Sequence, residues 1–464
     1  MYRRGGMLQL GEASIVVLYF FLLVCLSVYG VHRTYLMYLY IKGSLQRSDP
    51  AAFFLPANGH SPRIDTPSVT VQLPVYNEMH VVVRLIDAVG RLCYPRSRFE
   101  VQVLDDSTDC TSRIALLAVQ RWRNLGVDIS YFHRSTRTGF KAGALAYGLS
   151  RAKGELVAIF DADFMPSPDF LSRSVALFVD DKVGMVQARW GHINRDSSLL
   201  TRIQALFLDA HFILEHGARN MSGRFFNFNG TAGVWRRSAI VSSGGWHDDT
   251  LAEDLDLSYR AQLMGWQFIF MPDVVAPAEL PTDMNAFKSQ QRRWTQGSVQ
   301  ACFKIVPRVF LADLPLKVKV EAFFHLTGSF NFLLVFVWSL LLFPVAAVRG
   351  GMSGWLLWFD APLFLMVAFS VVHCYALSQR AIGGRWIARL RSIPALMAVG
   401  LGLSMNNSFA ILEVLARRKI EFSRTPKYGA MAATNTKVSS PYRRKRCTQP
   451  GIELVIGFYF ACGA

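Results

Sequence analysis

Three short polar clusters, each directly after an apolar run, hold most of the residues in this chain that could do chemistry. They are Val75-Tyr76-Asn77-Glu78, Asp105-Asp106-Ser107-Thr108-Asp109 and Asp161-Ala162-Asp163. Acidic strand ends that converge on one crevice repel each other unless a cation or a donor-rich ligand occupies it. Carboxylates at i and i+2 can meet a hard divalent ion that keeps open positions for phosphate oxygens. One such cluster says little, because acidic turn residues cap helices routinely; three in succession say more. Two basic elements complement them. Gly139-Phe140-Lys141-Ala142-Gly143 opens a helix, which sets Lys141 and free backbone N–H groups where a phosphate binds; an ordinary solvated lysine reads equally well there. Gln290, Arg293 and Trp294 stand at i, i+3 and i+4 on one helical face. Arg supplies a bidentate fork for a diphosphate and Trp a flat plate for a sugar ring. The same residues also suit an amphipathic helix with a snorkelling Arg and an anchoring Trp. Thr250-x-x-Glu253 matches a capping box. It would set Asp254 in a first helical turn, where the helix dipole favours its ionised form and a substrate hydroxyl could use it as general base.

These clusters need elements to position them. Val69–Leu73, Val101–Leu104, Ile129–His133, Leu156–Phe160 and Val183–Ala188 read as buried strands, with helices over 78–92, 111–124, 141–152, 168–180 and 198–216. Alternation of this kind predicts a mostly parallel α/β sheet, whose ligands collect at the carboxyl ends of strands. Pro56, Gly59, Pro62 and Pro67 mark a linker before it. Apolar runs flank this unit. Ala13–Val31 is uncharged and reads as a transmembrane anchor; no A-x-A site follows it, which disfavours a signal peptide. Phe323–Val348 and Trp355–Leu377 are two further spans. Ile393–Leu412 is interrupted by Ser404, Asn406 and Asn407, and Leu454–Ala464 is too short to cross alone.

Composition agrees. Of 464 residues, 52% are hydrophobic and only 18% charged, too few charges for an ordinary soluble protein. The seven cysteines include no C-x-x-C pair, which excludes a zinc ribbon and argues against a secreted disulfide framework. The net charge of +17 is concentrated between Arg380 and Gly451, amid apolar blocks, which points to an anionic membrane surface rather than nucleic acid.

Taken in order, Leu73–Glu78, Val103–Asp109, Gly139–Leu145, Phe160–Phe164, Phe228–Trp235, Glu253-Asp254 and Gln290–Trp294 resemble the processive family 2 glycosyltransferases, which include cellulose, mannan and hyaluronan synthases. The strings FNFNGTAGVWR, VQVLDDSTD and FDADF are most similar to plant cellulose-synthase-like glucomannan and glucan synthases. The resemblance implies an α/β GT-A (Rossmann-like) catalytic domain inserted between transmembrane and interfacial helices. Its divisions would be an N-terminal tail (1–12), an anchor (13–41), a linker (42–65), the catalytic domain (66–281) and amphipathic interfacial helices (282–320). Two transmembrane helices (321–378), a basic loop with an interfacial or membrane helix (379–416), a basic segment (417–451) and a short or truncated apolar end (452–464) would come after them.

Carried over by position, the resemblance gives Tyr76, Glu78, Asp105 and Asp106 to the nucleotide. Asp161 and Asp163 would hold Mg²⁺ or Mn²⁺ on the diphosphate, with Lys141 and Arg293 neutralising it. Asp254 would be the catalytic base, and Phe228, Asn229, Gly230, Thr231, Ala232, Gln290 and Trp294 would hold the acceptor. The usual Thr-Glu-Asp reads Ala252-Glu253-Asp254 here. Phe422, Thr425 and Lys427 resemble a gating loop, with Arg424 and Pro426 departing from its pattern; a basic juxtamembrane loop is the alternative. The expected protein is a multi-pass membrane enzyme with a cytoplasmic catalytic domain, in a bacterial inner membrane or a Golgi membrane. It would use UDP-glucose or GDP-mannose to extend a β-linked polysaccharide, alone or with an oligomeric or accessory partner. A glycolipid-forming transferase resembling ceramide glucosyltransferases, or an inactive scaffold, is the rival. The positive-inside rule favours Ile393–Leu412 as an interfacial helix with its Ser and Asn residues toward water, against a third crossing.

Overall fold

A computed structural model describes residues 2–46, 66–349, 357–418, 427, 429 and 449–463. At its centre lies a seven-stranded sheet formed by β1 (Val69–Val75), β2 (Phe99–Asp105), β3 (Ile129–His133), β4 (Leu156–Ile159), β5 (Val183–His192), β6 (Gly233–Arg236) and β7 (Gln267–Ala278), in the order β3-β2-β1-β4-β6-β5-β7. The first four strands run parallel, so the segments after β1, β2 and β4 emerge side by side, with Val75 opposite Asp105. Both faces are covered, and the side chains alternate between them. Val71, Leu73, Val101 and Val103 pack on Leu85, Ile86 and Val119; Leu104, Val157 and Ile159 pack on Leu145, Trp235 and Phe270. Each fully buried large side chain contributes roughly 1.5–3 kcal/mol.

Two strands go beyond the sequence expectation. β6 runs antiparallel between β4 and β5; at four residues it is too short for any periodicity to announce it. β7 contains Pro272 and Pro277, which speak against a strand by propensity. It pairs parallel to β5 through irregular register between Ala188 and Arg189.

Among the described residues, four helical segments are long and apolar enough to cross a membrane: Glu12–Gln46, Leu316–Val348, Trp358–Ile382 and Trp386–Leu415. The first packs on its neighbours through Tyr19, which donates to Asp360 (2.8 Å), and Tyr29, which donates to Thr327 (2.8 Å). Helix Met284–Leu311, started by Asp283 accepting from the N–H groups of Asn285 and Ala286, lies between the sheet domain and these apolar helices. Helix Ile393–Leu415 runs along it. Asn406 donates to the Lys288 carbonyl (3.1 Å), and Glu413 accepts from Gln296 (3.0 Å) and pairs with Arg292. Ser404, Asn406 and Asn407 are therefore buried, not turned to water as the interfacial reading expected. Asn406 is met by the neighbouring helix through the Lys288 carbonyl, Ser404 donates to the Leu401 carbonyl of its own helix, and the Asn407 oxygen accepts from Asn406.

Candidate active site

The parallel strand ends open onto a cleft of about 650 Å³ that continues from the sheet toward the apolar helices. At its outer end Tyr76 carries the Arg137 guanidinium 3.4 Å above its ring. Asp106 accepts two hydrogen bonds from Arg134, at 2.7 and 2.6 Å. Neither arginine is singled out by the sequence motifs, yet both come directly after β3, where the rule applied to β1, β2 and β4 would have found them. Glu78 also lines this end. Asp105 does not. Its buried carboxylate accepts from Ser107, Ser112 and Tyr131 under the sheet edge. Burial raises its pKa, but those donors outweigh burial and hold it below the usual range. Strand alternation explains the difference, since adjacent residues point to opposite sides.

In the middle of the cleft, cations and carboxylates interleave. Gly139, at φ +72°, turns the chain into helix Phe140–Leu149 and presents Lys141. The Lys141 ammonium lies 2.6 Å from Asp161 and 3.9 Å from Glu253, and it donates to the Gly230 carbonyl at 2.9 Å. It is no solvated surface lysine. Burial lowers its pKa, but the Asp161 and Glu253 carboxylates more than compensate and hold it above the ordinary value. Arg293 faces Glu253, Asp161, Asp254 and Asp163; burial pulls its pKa down against their attraction, and a guanidinium remains charged regardless.

The segment 228–232 divides in two. Asn229 and Gly230 line the cleft. Gly230 has φ +79°, and a Cβ there would stand 2.9 Å from Asp254 Oδ2 and 3.3 Å from Lys141 Nζ, so glycine suits this turn of the loop. Phe228, Thr231 and Ala232 lie off the cleft, fully buried. Phe228 packs edge-on to Trp235, and Thr231 accepts from the Asp161 N–H (2.9 Å), fixing that loop. They support the cleft wall rather than form it.

Asp254 stands on the second residue of helix Glu253–Leu263. The capping box is not formed: Ala252 is the N-cap, and the buried Thr250 hydroxyl has no hydrogen-bond partner among the described residues. The expectation of a readily ionised carboxyl fails too. Burial and the adjacent Glu253 charge, opposed by Lys141, push Asp254 up to about 7. That value suits a group that must take up a proton near neutrality.

Gln290 and Trp294 line the inner wall. The Trp294 ring lies 6.5 Å from that of Trp190, which in turn packs on Phe164 and Phe212. Beyond them stand His211, Glu215 and Arg219, which sequence reasoning missed. Lys427 reaches in from the far end of the chain. Its ammonium lies 2.6 Å from Asp163 and donates to the Glu279 carbonyl at 2.8 Å. Phe422 and Thr425, the other gating-loop residues, lie outside the described residues.

Asp161 and Asp163 fit a hard divalent cation. Each already holds a lysine ammonium at 2.6 Å through one oxygen, so the site is shaped around positive charge, and each has a second hard oxygen. A second cluster, His247, Asp249 and Asp256, does not fit one. The Lys304 ammonium occupies its centre, 3.3, 2.8 and 2.9 Å from the three side chains.

The chain matches the models of two families, described as glycosyl transferase family 2 over residues 70–241 and glycosyl transferase family group 2 over residues 156–376. It is 45% identical over 248 residues to glucomannan 4-beta-mannosyltransferase 2 of Arabidopsis thaliana, covering 52% of this chain and 46% of that one. Glucomannan 4-beta-mannosyltransferase 1 of Oryza sativa subsp. japonica is 42% identical over 274 residues, covering 58% and 52%. The chain thus spans about half the length of the curated relatives it matches. A solved structure of mannosyltransferase PcManGT from Pyrobaculum calidifontis, in complex with GDP-Man and Mn²⁺, shares the fold. Its TM-score is 0.51 at 21% identity, over 85% of this chain and all of that one. The matched residues begin at β1 and run through every strand end of the cleft to the apolar helices, and the chain belongs to glycosyltransferase family 2.

Proposed function

We propose that the protein is an inverting hexosyltransferase that moves a sugar from a nucleotide-sugar to a growing β-linked polysaccharide of the mannan or glucomannan type. The observation that carries this is the Asp254 carboxyl, raised to about 7, beside Gly230 and Lys141 between the diphosphate-type charges and the Trp294 plate. The acceptor hydroxyl loses its proton to Asp254 as its oxygen attacks the anomeric carbon from the face opposite the diphosphate. The bond to the diphosphate breaks, and an α-linked donor gives a β-linkage. Lys141 and Arg293 receive the charge on the departing diphosphate, which is where fixed cations lower a barrier most. Asp161 and Asp163 would hold a divalent cation, Mg²⁺ or Mn²⁺, that adds to this neutralisation. Tyr76, Glu78 and Asp106 serve the nucleotide, while Asn229, Gly230, Gln290 and Trp294 serve the acceptor.

The four long apolar helices support a multi-pass membrane protein with the sheet domain on the cytoplasmic side, where nucleotide-sugars are found. The cleft continues past Trp294 to Tyr29, His32 and Asn331 of those helices, which favours a polymer over a discrete glycolipid. The names of the relatives, which are mannosyltransferases, favour a mannosyl over a glucosyl donor. Purified protein in lipid nanodiscs, given each nucleotide-sugar in turn, should make polymer from GDP-mannose that a β-mannanase degrades. A single-sugar lipid product would replace this reading with the glycolipid one.

A further inference from the structure

Two helices bring the proposed chemistry together, and the seam between them is built from residues outside the described lining of the cleft. Helix Glu253–Leu263 carries Asp254, and helix Met284–Leu311 carries Arg293 and Trp294. Gly297, Gln300 and Lys304 stand at i, i+3 and i+7 on the long helix, so they share one face. That face meets the chain on both sides of Asp254. At Gly297 the two backbones touch: a Cβ there would stand 2.9 Å from the Ala252 Cβ and 3.0 Å from the Ala252 nitrogen. Gln300 Oε1 accepts from the Leu251 N–H at 2.8 Å. Lys304 reaches past Asp254, with its ammonium 2.9 Å from Asp256 and 2.8 Å from Asp249. Asp256 is fully buried and also accepts from Arg260 at 2.8 Å, which donates to the Gly245 carbonyl at 2.8 Å.

Both devices oppose stability taken singly. A glycine inside a helix weakens it relative to alanine, because glycine gives up more backbone freedom on folding. A buried carboxylate and the ammonium that meets it must both leave water. What they achieve together is a fixed spacing. Ala252 lies two residues before Asp254, and Gly297 lies about one helical turn after Arg293. Contact between the backbones here leaves little slack between the carboxyl that takes the acceptor proton and the arginine that receives the diphosphate charge. Displacing reacting groups by about 1 Å can cost about 10²-fold in rate.

We propose that Gly297, Gln300 and Lys304 are positioning residues that set the distance from the Asp254 carboxyl to Arg293 and Trp294 without touching substrate. The inference rests on the transferase reading above and adds what holds its base and its cationic, aromatic wall within reach of each other. The competing explanation is an ordinary packing seam that contributes stability alone. Gly297→Ala separates the two, because alanine favours the helix while its Cβ pushes that helix off Ala252.

The test uses the full-length chain in nanodiscs, supplied with whichever of GDP-mannose or UDP-glucose the wild type transfers. Gly297→Ala should lower kcat about 10-fold or more, with donor KM and the Kd of the matching nucleoside diphosphate within about 2-fold of wild type. Adding Ala252→Gly removes the nearest opposing atom and should recover about 3-fold or more of that loss. Lys304→Met, acting from the Asp256 side, should lower kcat about 3-fold or more with the same unchanged KM. An unchanged kcat in either single variant, a loss of nucleotide affinity in step with kcat, or no recovery in the double variant would each overturn the positioning role and leave the transferase reading standing. Wild-type protein that transfers neither sugar removes both.

Discussion

The two ends of the cleft are built by different means. At the end proposed to take the nucleotide, every acidic side chain comes after a strand, and the strands are neighbours in parallel register, as Val75 and Asp105 show. Their charges are met at close range: Asp106 by Arg134, Asp161 by Lys141, Asp163 by Lys427. At the other end, proposed to meet the membrane, the walls come from helices remote in sequence, and His32 and Glu321, 289 residues apart, bond directly. Here aromatic plates and neutral amides outnumber bare carboxylates. A rigid sheet edge suits a diphosphate, which presents the same charge in every cycle. A wall of rings and amides suits sugars, whose faces are apolar and whose hydroxyls are neutral.

The largest effect should fall where the ends meet. Asp254→Asn keeps the size of the side chain but removes the proton acceptor, and turnover should fall by about 10³-fold or more while donor binding survives. The same change should stabilise the fold above pH 7. The folded carboxyl titrates near 7 and the unfolded one near its ordinary value of 3.8. The folded state therefore retains a proton that the unfolded state releases. The penalty is absent below about pH 4, grows up to pH 7 and is full above it; the substitution would remove it, worth on the order of 1 kcal/mol or more at pH 8. Undiminished turnover, or an unchanged Tm at pH 8, would separate Asp254 from this role.

Removing divalent metal with excess chelator should cost roughly 10²-fold or more in transfer, because diphosphate departure then relies on Lys141 and Arg293 alone. Full activity under chelation would reduce Asp161 and Asp163 to loop residues and break the contrast between the two ends.

Trp294→Ala should impair elongation by roughly 10–100-fold, the loss of one stacking plate, with GDP affinity within about 2-fold of wild type. A large loss of nucleotide affinity would mean that the two ends are not separable at this residue.

The smallest effect concerns pH and Lys427. The acid limb of kcat/KM should track the Asp254 carboxyl with an apparent pKa near 7, and activity should decline as pH falls below it. Because the Lys427 ammonium occupies one Asp163 oxygen, Lys427→Met should tighten Mn²⁺ binding in the absence of donor by a few-fold, read by electron paramagnetic resonance. Weaker Mn²⁺ binding in that variant would show that Lys427 holds the site together rather than competing for it.

Much of the nucleotide end is legible from local pattern. Short apolar runs identify β1 to β5, and the rule that ligands gather at carboxyl ends then selects Tyr76, Asp106, Asp161 and Asp163. The same rule misplaces Asp105, because alternation sends its side chain under the sheet. Phe228, Thr231 and Ala232 carry no local signal of burial either: Phe228 packs on Trp235 of β6, and Thr231 and Ala232 bond Asp161 and Ile159 at the end of β4. At the membrane end, Trp190, His211, Glu215 and Arg219 carry no local signal, since a His or Arg on a helical pattern looks the same whether it meets solvent or a cleft.

By itself, the sequence determined the features set by spacing along the backbone: a parallel α/β unit between apolar helices, acidic residues at its strand ends, and Gln290, Arg293 and Trp294 on one helical face. Tertiary structure alone decided the electrostatic state of each group. Asp254 sits at a helix start whose dipole would ionise it, yet burial and Glu253 keep its proton to about pH 7. Lys141 reads as a solvated lysine until Asp161, Gly230 and Glu253 close around it. Charge energies depend on distance and dielectric across the fold rather than on separation along the chain.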